Sequence, residues 1–117
     1  ELEVPESALA SALESIPGDL RAALELSADR VSDFAKASLP TTWHDSKTGL
    51  GEMIVPLERA GLYVPGGAAS YPSVVIMMGV IARTAGVKEI VMCTPAMDGP
   101  RPNDAVLAAL NVGVDNR

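Results

Sequence analysis

The most constraining feature of this 117-residue chain is the order of its segments over residues 60–95. Three apolar segments follow one another there, and a glycine turn separates the first from the second. Residues 60–64 are mostly apolar and predict a strand, which the Pro-Gly-Gly of residues 65–67 ends. Residues 74–85 predict a helix with Gly86 as its C-cap, and residues 87–95 predict a short buried strand. Strand, turn, helix and strand in this order are typical of a parallel sheet that is covered on both faces. The sequence therefore predicts an α/β fold.

Two helices are predicted before this run. The first begins at Pro5, because proline is tolerated in a first helical turn, and it ends at the Pro-Gly of residues 17–18. The second begins with Asp19 as N-cap and ends before Pro40. Its apolar residues share one stripe, as expected for a helix that packs on a core. They are Leu20, Leu24, Ala28, Val31 and Ala35.

The remaining segments complete the predicted organisation. Residues 1–40 form a helical part, the polar residues 41–51 a linker loop, and residues 52–117 an α/β part. Residues 52–59 predict a strand that Pro56 places at an edge or a bend, and a last helix begins at Asn103 or Asp104 and closes at Gly113. Because the chain opens without Met and stops where a new strand is due, we expect an incomplete domain of a longer protein.

Composition excludes several classes of function. Nine basic against fifteen acidic residues give a net charge of −6, which disfavours nucleic acid as a partner. The single cysteine, Cys93, excludes an intrachain disulfide framework and fits a reducing compartment. The longest apolar run, residues 74–82, is far shorter than the ~20 residues of a membrane span. We therefore expect a cytoplasmic protein that acts on a small molecule.

The glycine turn, residues 61–69, lies where a strand gives way to a helix. Ligands of α/β proteins bind at such turns, because glycine lets the backbone approach them and free helical N–H groups favour anions. The turn lacks the lysine and hydroxyl of a phosphate-binding P-loop, since Gly67 and Ala68 stand at those positions. The adjacent Gly66 and Gly67 also break the spacing of a dinucleotide fingerprint. From the residues alone, a purely structural turn and a ligand contact both stay open.

The residues around this turn resemble the histidinol dehydrogenase family. The resemblance rests on Pro-Leu-Glu-Arg-Ala-Gly-Leu-Tyr-Val-Pro-Gly-Gly at residues 56–67, Tyr-Pro-Ser at 71–73, Ala-Gly-Val-Lys-Glu-Ile-Val-Met at 85–92 and Pro-Asn-Asp-Ala-Val-Leu-Ala-Ala-Leu at 102–110. Members are several times longer and are NAD-dependent zinc enzymes, usually homodimers. They oxidise L-histidinol through L-histidinal to L-histidine in histidine biosynthesis. The resemblance implies that residues 52–117 form part of a Rossmann-like NAD-binding domain.

Carried over to this chain, the family pattern implies three cofactor-binding residues. They are Tyr63, which corresponds to the tyrosine that contacts NAD, and Gly66 and Gly67 in the same turn. The family's zinc ligands and its Glu-His pair for proton transfer fall beyond Arg117, so the pattern implies no catalytic and no metal-binding residue here. A catalytic zinc needs three protein ligands, and this chain has one histidine and one cysteine, far apart in sequence. We therefore expect the chain alone to be inactive.

One helix departs from the family pattern. The family commonly has Pro-Ser-Ser-Val-Leu-Met-Asn where this chain has Val74 and Met78 at the third and seventh positions, and Ile81 replaces a usual proline. These departures motivate a second hypothesis, a related dehydrogenase of another small alcohol. A third hypothesis is a non-catalytic α/β interaction module.

Two further residues have a chemical and a structural interpretation. His44, beside Asp45, is either a general base or a solvated loop residue. Cys93, at the end of a strand, is either a nucleophile or a small buried hydrophobe, and we expect the second.

Overall fold

A computed structural model describes residues 3–66, 69–96, 99 and 101–115. These residues form a mixed α/β structure, as predicted. In chain order the elements are α1 (Glu6–Ser15), α2 (Gly18–Ser38), β1 (Trp43–His44), β2 (Gly51–Glu52), β3 (Arg59–Tyr63), α3 (Pro72–Thr84), β4 (Glu89–Cys93) and α4 (Asp104–Leu110), which continues as a π-helical turn (Asn111–Asp115).

The predicted strand–helix–strand unit is confirmed as β3–α3–β4. The two strands are parallel, with Arg59 opposite Glu89 and Tyr63 opposite Cys93. Helix α3 has a proline in its first turn, and it ends before Gly86, whose φ of 84° only glycine adopts readily. In the described part of the chain this parallel sheet has two strands, so the structure shows one βαβ unit and not a larger doubly wound sheet.

The core lies among the helices. Helix α2 packs on α3, α1 packs on α4, and the π-helical turn contacts both α3 and α4. The predicted stripe on α2 is buried at two of its positions, Leu24 and Ala28. The other core residues are apolar and mostly valine or alanine, which allows the helices to approach closely. They include Val64, Val75, Ile76, Val80, Val106, Ala108, Ala109 and Val112.

The last helix runs further than its sequence predicts. Gly113 was expected to end it, but helical structure continues to Asp115. Gly113 lies against Ile76 and Val80, at distances of 3.5 and 3.6 Å from the position that a Cβ would take. The Arg83 guanidinium also donates to the carbonyl groups of Gly113 and Val114. Packing and this cap outweigh the weak helical preference of glycine.

Three other local predictions were wrong. Helix α2 begins at Gly18 after Pro17, so Asp19 lies inside its first turn instead of capping it. The polar segment after α2 contains a two-stranded hairpin, β1–β2, where composition predicted only a loop. A strand was predicted over residues 52–59, but only Glu52, at the end of β2, and Arg59, at the start of β3, are in strands. Pro56 has no N–H to donate and interrupts strand pairing between them.

Candidate functional site

The carboxyl ends of β3 and β4 form one edge of the molecule. Tyr63 and Cys93 are register partners there, and the Val64 N–H donates to the Cys93 carbonyl at 2.9 Å, which extends the pairing by one residue. Gly66, two residues beyond Val64, is exposed, and α3 begins at Pro72. Ligands of open α/β sheets bind outside the carboxyl ends of the strands, so this edge is the candidate site.

Neighbouring residues at this edge have opposite environments. Val64 is fully buried in the helical core, whereas Tyr63 is 66% exposed. The valine therefore fixes the end of β3, and the tyrosine ring is left accessible beside it. Tyr63 is not part of the core that the described residues form. An exposed aromatic ring at a strand end has both a flat apolar face and a hydroxyl to offer to a ligand.

The turn and the helix after it complete this edge. Gly66 is exposed, while Gly67, the third residue that the family pattern implies, lies outside the described residues. Helix α3 begins at Pro72, and no side chain caps its first turn, which also contains no acidic residue. The first N–H groups of a helix attract anionic groups, so the features around Tyr63 and Gly66 suit a ligand that carries phosphate.

One whole face of the β3–β4 pair is exposed. Its cross-strand pairs are an Arg59–Glu89 ion pair, Gly61 beside Val91, and Tyr63 beside Cys93. The prediction that β4 is buried was wrong, and so was the interpretation of Cys93 as a buried hydrophobe. No described element covers this face, so only the opposite face, which includes Leu62 and Met92, is half-buried. Apart from Glu89, β4 has only apolar residues, so its sequence does not distinguish the open face from the half-buried one.

His44 and Asp45 do not form a catalytic pair. His44 is exposed on β1. The Asp45 carboxylate accepts hydrogen bonds from the Thr48 hydroxyl at 2.7 Å and the Lys47 N–H at 2.9 Å. These bonds, that of Thr48 first, hold the pKa of Asp45 below its usual value. Asp45 thus shapes the turn of the hairpin.

The described residues do not fit a zinc site. Within residues 3–66, 69–96, 99 and 101–115, no three His, Cys, Asp or Glu side chains come together as metal ligands would. In the same ranges no helix is long and apolar enough to cross a membrane.

The residues that depart from the family pattern lie on α3. Val74 and Met78 are half-buried and pack against the helical core, and Ile81 is half exposed. Two of the three departures therefore change packing partners inside the protein rather than groups at the carboxyl edge.

The fold defines an α/β protein with a parallel βαβ unit and an open carboxyl edge. A sequence model of the histidinol dehydrogenase family matches residues 1–116. The chain belongs to this family. Histidinol dehydrogenase from Hydrogenovibrio crunogenus is 49% identical over 98% of the chain, and the one from Nitrosospira multiformis is 48% identical over 93%.

A solved structure of a histidinol dehydrogenase also matches this chain. The crystal structure of histidinol dehydrogenase from Elizabethkingia anophelis matches 99% of the chain with a TM-score of 0.82 and 26% sequence identity. The chain spans about a quarter of the length of these proteins: 27% of the Hydrogenovibrio protein and 28% of the Elizabethkingia chain.

Proposed function

We propose that this chain supplies part of the NAD-binding region of a zinc-dependent histidinol dehydrogenase, which oxidises L-histidinol through L-histidinal to L-histidine in histidine biosynthesis. The observation that carries the proposal is the 49% identity to a histidinol dehydrogenase over 98% of the chain. The exposed Tyr63 at the carboxyl edge supports it, because this is the position expected of a cofactor contact.

Each residue at the edge has a role in this proposal. Tyr63 offers its ring and hydroxyl to the nucleotide, and Gly66 and Gly67 leave room for the backbone to approach it. The N–H groups at the start of α3 favour the negative charge of the pyrophosphate. Bound NAD would supply the hydride acceptor, while these residues bind and orient it.

The zinc ligands and the groups that transfer protons belong, in this proposal, to the part of a family-length protein outside this chain. This placement follows the family pattern, and the described residues bring no set of three such ligands together. The chain contributes no residue to bond breaking, and we expect it to produce no NADH from L-histidinol by itself.

The proposal extends to the domain organisation and the assembly of the longer protein. Residues 52–117 would be one portion of a Rossmann-like domain whose further strands extend the β3–β4 pair. Residues 1–40 would be a helical part and residues 41–51 a linker between the two. We further propose a cytoplasmic homodimer without nucleic acid or membrane partners, as is usual for the family.

The two other hypotheses receive less support. A different alcohol substrate was motivated by Val74 and Met78, and these residues pack against the core. A non-catalytic interaction module would need no accessible tyrosine at the carboxyl edge, whereas Tyr63 is largely exposed. Oxidation of other small alcohols, in preference to L-histidinol, by a full-length protein with this segment would support the hypothesis of a different substrate.

The test uses Tyr63→Ala and Tyr63→Phe in a full-length protein that contains this segment. Loss of an aromatic contact of ~1–3 kcal/mol weakens NAD binding roughly five- to hundred-fold. We expect Tyr63→Ala to raise the KM for NAD by that factor and to change the KM for L-histidinol less, with Tyr63→Phe in between. Phe34→Ala, at an exposed aromatic residue of α2 away from the carboxyl edge, is the matched control. An unchanged NAD affinity together with a lower Tm would make Tyr63 a structural residue.

A further inference from the structure

The segment after β4 brings a positively charged side chain, that of Arg101, to the carboxyl edge. Arg101 lies between β4, which ends at Cys93, and α4, which begins at Asp104. This segment leaves the sheet at the same edge as the turn after β3, because the two strands are parallel. Arg101 and the glycine turn therefore belong to the two segments that follow neighbouring strand ends.

Packing holds the start of α4 on the core that the end of β3 also joins. Val106, in the first turn of α4, is buried in the same core as Val64, the residue that follows Tyr63. The Ser15 hydroxyl, at the end of α1, donates to Asp104 Oδ2 at 3.0 Å and so ties the first residue of α4 to α1. The beginning of α4 is thus fixed from two directions.

The Asp104 carboxylate orients Arg101. Arg101 Nη2 lies 2.8 Å from Asp104 Oδ1, and the two side chains are 44% and 38% exposed. A guanidinium has five N–H donors in a planar fork, so an ion pair through one nitrogen leaves donors for an anion. The guanidinium of Arg101 is therefore both oriented and accessible.

Stability gives little reason for an arginine at this position. Exposed ion pairs contribute little to folding, and the positive partial charge at the start of a helix disfavours a cation just before α4. Two other arginines near the strands act elsewhere. Arg59 pairs with Glu89 at the amino ends of the strands, and Arg83 donates to the carbonyl groups of the π-helical turn. Of these three arginines, the topology places Arg101 at the carboxyl edge.

We propose that Arg101 is a further cofactor-binding residue that pairs with the pyrophosphate of NAD, an inference that rests on the proposed function. The first N–H groups of α3 follow β3 and Arg101 follows β4, so the pyrophosphate is bound from both segments. Arginine suits this role because its fork donates two parallel hydrogen bonds to phosphate oxygens. In a chain with a net charge of −6, it also offsets the repulsion of an anionic ligand.

Equilibrium binding of NAD to a full-length protein with this segment tests the proposal without relying on turnover. In isothermal titration calorimetry, Arg101→Gln should raise the Kd for NAD about tenfold, as the loss of one charge-assisted hydrogen bond predicts. Arg101→Lys keeps the charge without the fork and should give an intermediate Kd. Arg59→Gln is the matched control, because it removes an exposed, ion-paired arginine at the amino ends of the strands and should leave the Kd unchanged.

Two further ligands identify the group that Arg101 contacts. ADP-ribose carries the pyrophosphate, and adenosine does not. Arg101→Gln should weaken the binding of ADP-ribose about as much as that of NAD and leave the binding of adenosine unchanged. Added salt should weaken NAD binding more in the unchanged protein than in Arg101→Gln, because ions screen an exposed charge. Equal losses for ADP-ribose and adenosine would show that Arg101 supports the shape of the site, and would overturn the proposal.

The Tyr63 variant separates this proposal from the proposed function. If Tyr63→Ala weakens NAD binding and Arg101→Gln does not, the cofactor site stands and the role of Arg101 is wrong. An effect of Arg101→Gln on the Tm alone would make Arg101 a structural partner of Asp104. If neither variant changes the Kd for NAD, the proposed cofactor site is itself wrong.

Discussion

The helical layer and the strand pair of this chain differ in how completely each is covered. The helices bury side chains from α2, α3, α4 and the π-helical turn in one core. The β3–β4 pair is half-buried on one face and exposed on the other, from Arg59 and Glu89 to Tyr63 and Cys93. The helical layer is therefore determined by residues of this chain, whereas the environment of the sheet depends on what binds to its exposed face. Substitutions in the two regions should therefore have different consequences.

The largest effect on stability is expected in the middle of α3. Ile76→Ala removes a fully buried side chain from the helical core and should lower the free energy of unfolding by about 2–5 kcal/mol. Ile81→Ala, on the same helix but 50% exposed, should change it by about 0.5 kcal/mol or less. Urea denaturation of the 117-residue chain, followed by circular dichroism, measures both. Equal losses of unfolding free energy would show that both sides of α3 are buried to the same extent.

A smaller effect is expected where the helical layer joins the strands. Gly86 has a φ of 84°, and a Cβ there would lie 3.1 Å from Pro56 Cγ. Gly86→Ala should therefore cost about 1–2 kcal/mol of folding free energy. Gly18→Ala, in the first turn of α2 with nothing within 4 Å of the added Cβ, should stabilise by about 0.4–1 kcal/mol. Urea denaturation measures both changes in the free energy of unfolding. If Gly86→Ala leaves that free energy unchanged, the turn accommodates a Cβ without strain.

The smallest effect is expected in the hairpin and depends on pH. The folded hairpin lowers the pKa of Asp45 from 3.8, chiefly through the Thr48 hydroxyl, so the ionised carboxylate favours the folded turn. This contribution is present above the unfolded pKa and is lost as pH falls through the lower folded value. Fluorescence of Trp43, the single tryptophan, should therefore change below about pH 4.

Two variants assign this transition. Asp45→Asn should abolish it. Glu52→Gln should keep it, although Glu52 accepts a 3.3 Å hydrogen bond from the Trp43 indole. The same transition in Asp45→Asn would show that another group titrates, and the hairpin would then owe its turn to Gly49, with its φ of 72°, rather than to Asp45.

Sequence patterns predicted the elements whose signals are local. The apolar stripe of α2, the length of α3 and its end at Gly86 follow from helical periodicity and from the conformational freedom of glycine. The two-residue strands of the hairpin are too short to show any period, so composition suggested a loop. Other features depend on contacts between residues that are distant in sequence. Gly113 stays helical because of Ile76, Val80 and Arg83, and no local pattern contains that information.

The candidate site was predictable to a similar extent. Its position at a strand-to-helix turn follows from the order of the elements, and the family resemblance implies that Tyr63 is a cofactor-binding residue. The exposure of Cys93 was missed, because the burial of a strand depends on the layers around it and not on its own residues.

The register of β3 and β4 also has an entropic consequence. Because the Tyr63–Cys93 pair and the hydrogen bond from Val64 to Cys93 join the two strands at their last residues, the loops that follow start from neighbouring, fixed points. Paired strands lie about 4.8 Å apart, so one ligand group can touch both loop origins at once. A ligand that contacts the ends of β3 and β4 meets backbone that is already paired, so little of its binding free energy is spent on ordering these strand ends.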